Sequence, residues 1–425
     1  YSCHGEGFVF CSDLCWAAPL GLKFAEDVYA ASRAWEYLKV SGDLLRPRNG
    51  FYELQVTEEL WEAAYFDQIS LIAVDHPADI DIFTNEKVGP ASIAAHKIHT
   101  VSRPRIPVAA RDKRNRDLLP AVSQRDGRFA KPFEQRIRQG LVEDHYLELD
   151  LGNLRGAKQI MLYLTGWVYP TDTSLNIHLA RDENLPTPRP PSLWVPDADG
   201  HWQEAIPYTG FPGGKTKTIA IDISKAFLTE DFRLRLATNM EFYWDAVFFT
   251  VDEQPVEIRT EELHLHAADL HYRGYSEIEH PDGFGPDRYI YDRLQSNFSW
   301  PPMRGHFTRY GDVAELLVES DDRMVILGAG DEMTLKFAIP VAELPSGWRR
   351  DFVMYNVGWD KDANLNTAYG QDVEPLPFGA MSGYPYPAGE AYPLTPANRD
   401  YLMKYQTRTQ DGSRFWRNLN AQTFP

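Results

Sequence analysis

Eight short stretches between residues 144 and 253 favour extended backbone: HYLELDL, QIMLYLTGWV, LNIHLA, SLWV, WQEAI, KTIAIDI, RLRLAT and EFYWDAVFFTV. Leucine, β-branched and aromatic side chains dominate them. Turn formers separate them at Gly152-Asn153, Pro170 to Asp172, Asp197 to Gly200, and Pro212 to Gly214. Strands this short, interrupted this often, bury their apolar faces by packing sheet on sheet. The 30 Pro and 29 Gly spread over the 425 residues extend that reading to the rest of the chain. The predicted fold class is mainly β: two or three packed β-sandwich units with long irregular loops and a short C-terminal helix.

Four regions follow from the pattern. Residues 1–143 read as an N-terminal β-rich domain: GFVFCSDLCWAAPLGLKF is a buried strand followed by a Pro-Leu-Gly turn, FYELQVT is a strand, and QISLIAVDHPADIDIF is strand broken at His76-Pro77. Within it, EELWEAAYF reads as a short helix capped by Thr57, with Glu58 and Glu59 in its first turn. Residues 144–253 read as a sandwich, and LELDLG and RLRLATN within it resemble galactose-binding-like jelly rolls. Residues 254–345 read as a third β-rich unit, and 346–425 as a Tyr/Pro-rich wrapping tail. Thr395-Pro396 opens a helix there that runs to about Tyr405.

The net charge of -18 disfavours nucleic acid and anionic membrane surfaces as partners. No stretch approaches the ~18 apolar residues of a membrane span. Residues 97–138 run the other way, with 12 Lys/Arg against 4 Asp/Glu. This basic, irregular segment either lies on acidic parts of the same molecule or docks an anionic partner. The chain begins at Tyr1 without an initiator Met or a signal-like segment. This implies that a targeting segment was removed or that a larger upstream part is missing. Cys3, Cys11 and Cys15 permit one disulfide and a leftover thiol, or free structural thiols, and their spacing matches no zinc pattern.

Few motifs carry chemistry. GFPGGKTKT, residues 210–218, has the wrong spacing for a phosphate loop and runs into a strand, so nucleotide binding is rejected. His264 and His266 share a strand face near His271, without a visible complete ligand set. Asp360, Asp362, Asn364 and Asn366 alternate as calcium ligands do, but Leu365 and Gln371 stand where an EF-hand needs Gly and Glu. They read as a looser Ca2+ site or as a polar turn held by side-chain to backbone hydrogen bonds. Asp197 to Gly200 reads as a hairpin turn. Trp167, Tyr169, Tyr243 and Trp244 are candidates for stacking on a sugar ring, with core packing as the alternative. No nucleophile elbow or zinc-protease motif occurs.

An ordered set of segments carries a resemblance. It includes APLGL (18–22), TEELWEAAYFDQISLIAVDHPADIDIF (57–83), LTGWVYPTDTS (164–174) and GFPGGKTKTIAIDIS (210–224). It continues with TNMEFYWD (238–245), DLHYRGYS (269–276), TRYGDVAELL (308–317), GAGDEMTLKF (328–337), GWDKDANLNTA (358–368) and VEPLPF (373–378). The set resembles the C-terminal region of large bacterial proteins with FG-GAP (VCBS-type) repeats and an ASPIC/UnbV domain, similar to the cartilage acidic protein family. The resemblance implies a secreted, periplasmic or cell-surface protein acting in adhesion or recognition. This chain lacks the Asp-x-Asp-x-Asp-Gly repeats, so the calcium sites of that propeller transfer to no residue here.

The expected function is a non-enzymatic binding or structural module. It would recognise a glycan or a protein, or serve as an accessory subunit of an envelope assembly. The upstream propeller portion of the same precursor is one candidate partner. The alternative is a carbohydrate-active or metal-dependent enzyme using a His/carboxylate site, and convergent carboxylates in a cleft would favour it.

Overall fold

The computed structural model describes residues 1–5, 7–295, 299–410 and 417. Strand Glu62–Pro77 organises half of it. Nearly all of its 16 residues are buried or half-buried. One edge pairs along its full length with Trp348–Asp362. The other edge takes Val325–Gly328 and Arg259–Leu263. Trp35–Val40 adds a further strand beyond Trp348–Asp362. Facing this sheet is a six-stranded sheet in the order Gly7–Val9, Ser2–His4, Phe51–Thr57, Asp331–Ala338, Leu265–Tyr272, Gly311–Asp312. Leu54, Leu335 and Phe337 from one sheet meet Phe66, Leu71, Phe352 and Met354 from the other in one buried cluster. Each such side chain contributes about 1.5–3 kcal/mol on burial.

The second sandwich follows the expected strands of 144–253. Leu141–Asp150, Arg233–Val251, Ile160–Tyr169 and Lys217–Asp222 pair in that order, and Ser192–Pro196 and Trp202–Ile206 form a hairpin beside Arg233–Val251. The 19-residue strand Arg233–Val251 serves both layers: its first half pairs with Leu141–Asp150 and its second with Ile160–Tyr169. A register shift between Thr165 and Gly166 lets it bend. Only glycine fits there, because a Cβ on Gly166 would lie 2.5 Å from the Tyr243 carbonyl oxygen.

The division into regions differs from the expectation. Residues 1–143, 254–345 and 346–425 do not form successive units. Their strands interleave in the first sandwich, as the pairings of Phe51–Thr57 with Asp331–Ala338 and of Glu62–Pro77 with Trp348–Asp362 require. Two sandwiches result. Alternation in a sequence marks a strand but does not name its partner. The part of the expected tail beyond residue 410, Arg417 apart, lies outside the described residues.

Two local expectations are also corrected. EELWEAAYF is not a helix: its first four residues turn into Glu62–Pro77 and its last five begin that strand, because tertiary pairing on both edges overrides helix propensity. LNIHLA is helical, inside Thr173–Arg181, where the Asp172 side chain accepts a hydrogen bond from the Leu175 N–H at 2.8 Å. The expected helix Pro396–Tyr405 is present, capped by the Thr395 hydroxyl. The basic segment lies along the second sandwich. Arg114 and Lys113 pair with Glu143, and Arg136 pairs with Glu241. Cys3, Cys11 and Cys15 are free thiols. Among the described residues no helix is long and apolar enough to cross a membrane.

Candidate functional site

A cavity of about 450 Å3 opens where the two sandwiches meet. That volume lies within the range of pockets that enclose small molecules. The first sandwich supplies Asp13, Leu14, Trp16, Glu58, Glu62, Ala64, Phe66 and Asp360 to its wall. The second sandwich supplies Trp167, Tyr169, Gly214 and Lys215, and the hairpin of strands Ser276–Glu279 and Arg288–Leu294 adds Asp287 and Tyr289.

Strand geometry puts the acids there. Glu62, Ala64 and Phe66 alternate along one strand and so share a face. Asp360 sits opposite Ala64 on the neighbouring strand, which makes it the diagonal neighbour of Glu62. A register shift between Val357 and Gly358 sets this phase. Gly358 must lack a side chain, since a Cβ would fall 2.1 Å from the Tyr65 carbonyl oxygen and 3.1 Å from the Trp16 ring. Lys361 turns to the opposite face and offers no countercharge to the cavity. Its ammonium donates to the Val373 carbonyl at 2.9 Å and the Tyr384 hydroxyl at 2.8 Å, and burial lowers its pKa to about 7.

The turn from 58 to 61 brings Glu58 into the same cavity wall as Glu62. Glu58 accepts from the Leu60 N–H at 3.0 Å. Burial pushes Glu58 up to about 8 and Asp360 up to about 7, with nearby carboxylates adding to both. Glu62 is lifted well above the usual range by burial and by the charges of Glu58 and Asp360. None of the three forms an ion pair among the described residues.

The other charges around the cavity are already committed. Lys217, fully buried, holds Glu36 at 2.6 Å and Asp13 at 3.7 Å. Burial alone would lower Lys217, but the Glu36 and Asp13 charges hold its ammonium above the usual range. Glu59 is paired with Arg273 at 3.1 Å, and Asp287 with His280 at 2.7 Å. The Lys215 ammonium donates to the Asp287 carbonyl at 2.9 Å. Three buried wall atoms have no hydrogen-bond partner: Trp16 Nε1, Asp13 Oδ1 and Asp360 Oδ1. Such atoms are uncommon in folded proteins and costly when left unmade.

The aromatic candidates divide. Trp167 and Tyr169, two apart on one strand, line the cavity. Tyr243 stacks behind Trp167 at 4.8 Å between ring centroids and hydrogen-bonds Glu241, so it supports the wall without forming it. Trp244 points into the core of the second sandwich, stacked on Phe242 at 5.6 Å.

Of the four oxygen-ligand candidates, Asp360 faces the cavity and the other three build a turn. Asp362 Oδ1 accepts from the Asn364 N–H at 3.0 Å and the Thr367 hydroxyl at 2.6 Å. Asn364 Oδ1 accepts from the Asn366 N–H and the Ser174 hydroxyl, and Asn366 Nδ2 donates to Ser174. This turn thereby ties the two sandwiches together. Asp197 to Gly200 is the expected hairpin turn. Ligand atoms of Asp197, Asp199 and His201 lie within 4.8 Å of one another there, and Asp197 caps the Asp199 and His201 N–H groups. The histidines do not converge: His266 stacks on Phe51, while His271 bridges Asp269 and Glu332.

Sequence reasoning missed Glu58, Glu62, Asp13 and Trp16. Reading 58–66 as a helix concealed the alternation that puts Glu62, Ala64 and Phe66 on one face.

No family model matches the chain, and no curated protein does. One solved structure detected as similar is the N-terminal CBM22-1–CBM22-2 tandem domain of Xyn10C from Paenibacillus barcinonensis. It shares 10% identity over 56% of this chain and 87% of that chain, at a TM-score of 0.17. At that score nothing about this protein follows from the likeness.

Proposed function

We propose that the protein is a binding module whose ligand is a small polyhydroxylated molecule, such as the end of a glycan, held in the cavity between the sandwiches. One observation carries this reading: Trp16 Nε1, a donor, and Asp360 Oδ1, an acceptor, have neither a hydrogen bond nor an ion pair in a wall flanked by Trp167 and Tyr169. A sugar offers hydroxyls that both donate and accept, and an apolar ring face for aromatic side chains. Action outside the cytoplasm, as the resemblance to FG-GAP and ASPIC/UnbV proteins implies, belongs to the same proposal. A hydrolase is the second reading. The grouping of Glu58, Glu62 and Asp360 in one cavity, each raised by burial, favours it, since a proton donor and a carboxylate in one cavity are the parts of acid–base hydrolysis.

Tryptophan fluorescence, with two tryptophans in the wall, reports occupancy during titration with cellotriose, xylotriose and chitotriose. At least one should bind, Trp167→Ala should weaken it at least tenfold, and Trp202→Ala, remote from the cavity, should not. Chromatography of the same mixtures separates the two readings, because a module leaves the oligosaccharide intact and a hydrolase shortens it. Failure of every oligosaccharide to bind would reject both.

A further inference from the structure

The charge of the cavity narrows the class of ligand, on the reading that the cavity binds a small polar molecule. Glu58, Glu62 and Asp360 share it without a basic partner among the described residues. Each nearby cation is engaged elsewhere: Lys217 with Glu36 and Asp13, Arg273 with Glu59, and Lys215 with the Asp287 carbonyl. Lys361 faces away. Without a ligand, burial and mutual repulsion favour the protonated forms of these carboxyls. A neutral sugar would leave that arrangement untouched. A cation would replace the protons and convert carboxylic acids into paired carboxylates.

A second feature, independent of the acids, points to the rest of the ligand. Trp16 is only 2% exposed, lines the cavity, and has an indole N–H with no acceptor. An indole N–H is a donor only, so its partner is an oxygen. We infer that the ligand carries a protonated amine together with a hydroxyl or ether oxygen, the pattern of an amino sugar. The amine sits among Glu58, Glu62 and Asp360, and the oxygen accepts from Trp16 Nε1. Binding transfers a proton from the carboxyl cluster to solvent.

Calorimetry at pH 7 with four probes tests this: the glucosamine dimer, its di-N-acetyl form, cellobiose and putrescine. Each titration is run in two buffers of different ionisation enthalpy, so that the buffer dependence of the heat counts protons. The glucosamine dimer should bind at least tenfold tighter than cellobiose or the acetylated dimer, and should release about one proton. Putrescine should release a proton as well but bind more weakly than the glucosamine dimer, because it lacks the oxygen. Glu62→Gln should abolish the preference for the amine, and Asp360→Asn provides a second test if that variant folds poorly. Equal or tighter binding of cellobiose or the acetylated dimer would overturn the amine assignment while leaving the glycan reading intact. Binding of putrescine alone would support the amine and sink the glycan. No binding by any probe would remove both.

Discussion

Replacing Glu62 by glutamine removes one carboxyl from the cavity and keeps its shape, and the consequence for stability has a definite sign. A carboxyl whose pKa is higher in the folded chain than in the unfolded one favours folding at low pH. That contribution is complete below the unfolded value and is lost as pH rises through the folded value. Glu62 belongs to this class, since burial and the charges of Glu58 and Asp360 raise it well above the usual carboxylate range. Above the unfolded value the unfolded chain has released this proton, and as long as the folded chain retains it each further pH unit costs about 1.4 kcal/mol. Glutamine is a neutral donor that mimics the protonated acid and does not titrate. The variant should therefore gain stability relative to wild type on going from pH 6 to pH 8, by up to about 1.4 kcal/mol per pH unit. Urea denaturation of both proteins at the two pH values measures this directly. Parallel pH dependence, with the difference unchanged within about 0.5 kcal/mol, would refute the claim that Glu62 holds its proton in the folded chain.

Three further outcomes can be checked on the same preparations. Glu36→Ala leaves the fully buried Lys217 with only the more distant Asp13, and should destabilise by roughly 3–5 kcal/mol in urea titrations. Gly358→Ala drives a methyl group into the Tyr65 carbonyl and the Trp16 ring, so it should cost about 1–3 kcal/mol and weaken ligand binding by displacing Asp360. Calcium at Asp360, Asp362, Asn364 and Asn366 would stabilise by about 2.7 kcal/mol at 100 times its Kd. Because protein hydrogen bonds already hold that turn, the melting temperature should be the same in calcium and in chelator.

The sequence revealed local structure better than it revealed pairing. Seven of the eight strands expected in 144–253, the hairpin at Asp197 and the helix starting at Pro396 all depend on signals within a few residues, and they lie where those signals put them; LNIHLA, a helix, is the exception. The first sandwich depends on partners nearly 300 residues apart, for which the sequence carries no local mark. The site divides along the same line. Trp167 and Tyr169 stood out because two large aromatics alternate beside a turn. Asp360 also stood out, but in the company of Asp362, Asn364 and Asn366. Its neighbours in the cavity are instead Glu58 and Glu62, brought across by strand pairing. Trp16 lies in irregular chain, where periodicity says nothing about which atoms meet.

The cavity is also where the chain departs from what stability alone would select. Sandwich cores elsewhere in the molecule are filled by Leu, Val, Ile and Phe. At the junction three carboxyl groups occupy a wall that already contains Leu14, Ala64 and Phe66, and none of them forms an ion pair among the described residues. Well-packed apolar residues in place of buried charges are often neutral or stabilising. A scaffold serving only to hold two sandwiches together would have no use for this arrangement, since the Ser174–Asn364 contact and the Glu36–Lys217 pair already join them. Sequences break their own packing rules mainly at functional sites. The unpaired acids and the unpartnered Trp16 N–H break them in the same cavity. A bound ligand that supplies both an oxygen and a positive charge resolves the two violations together.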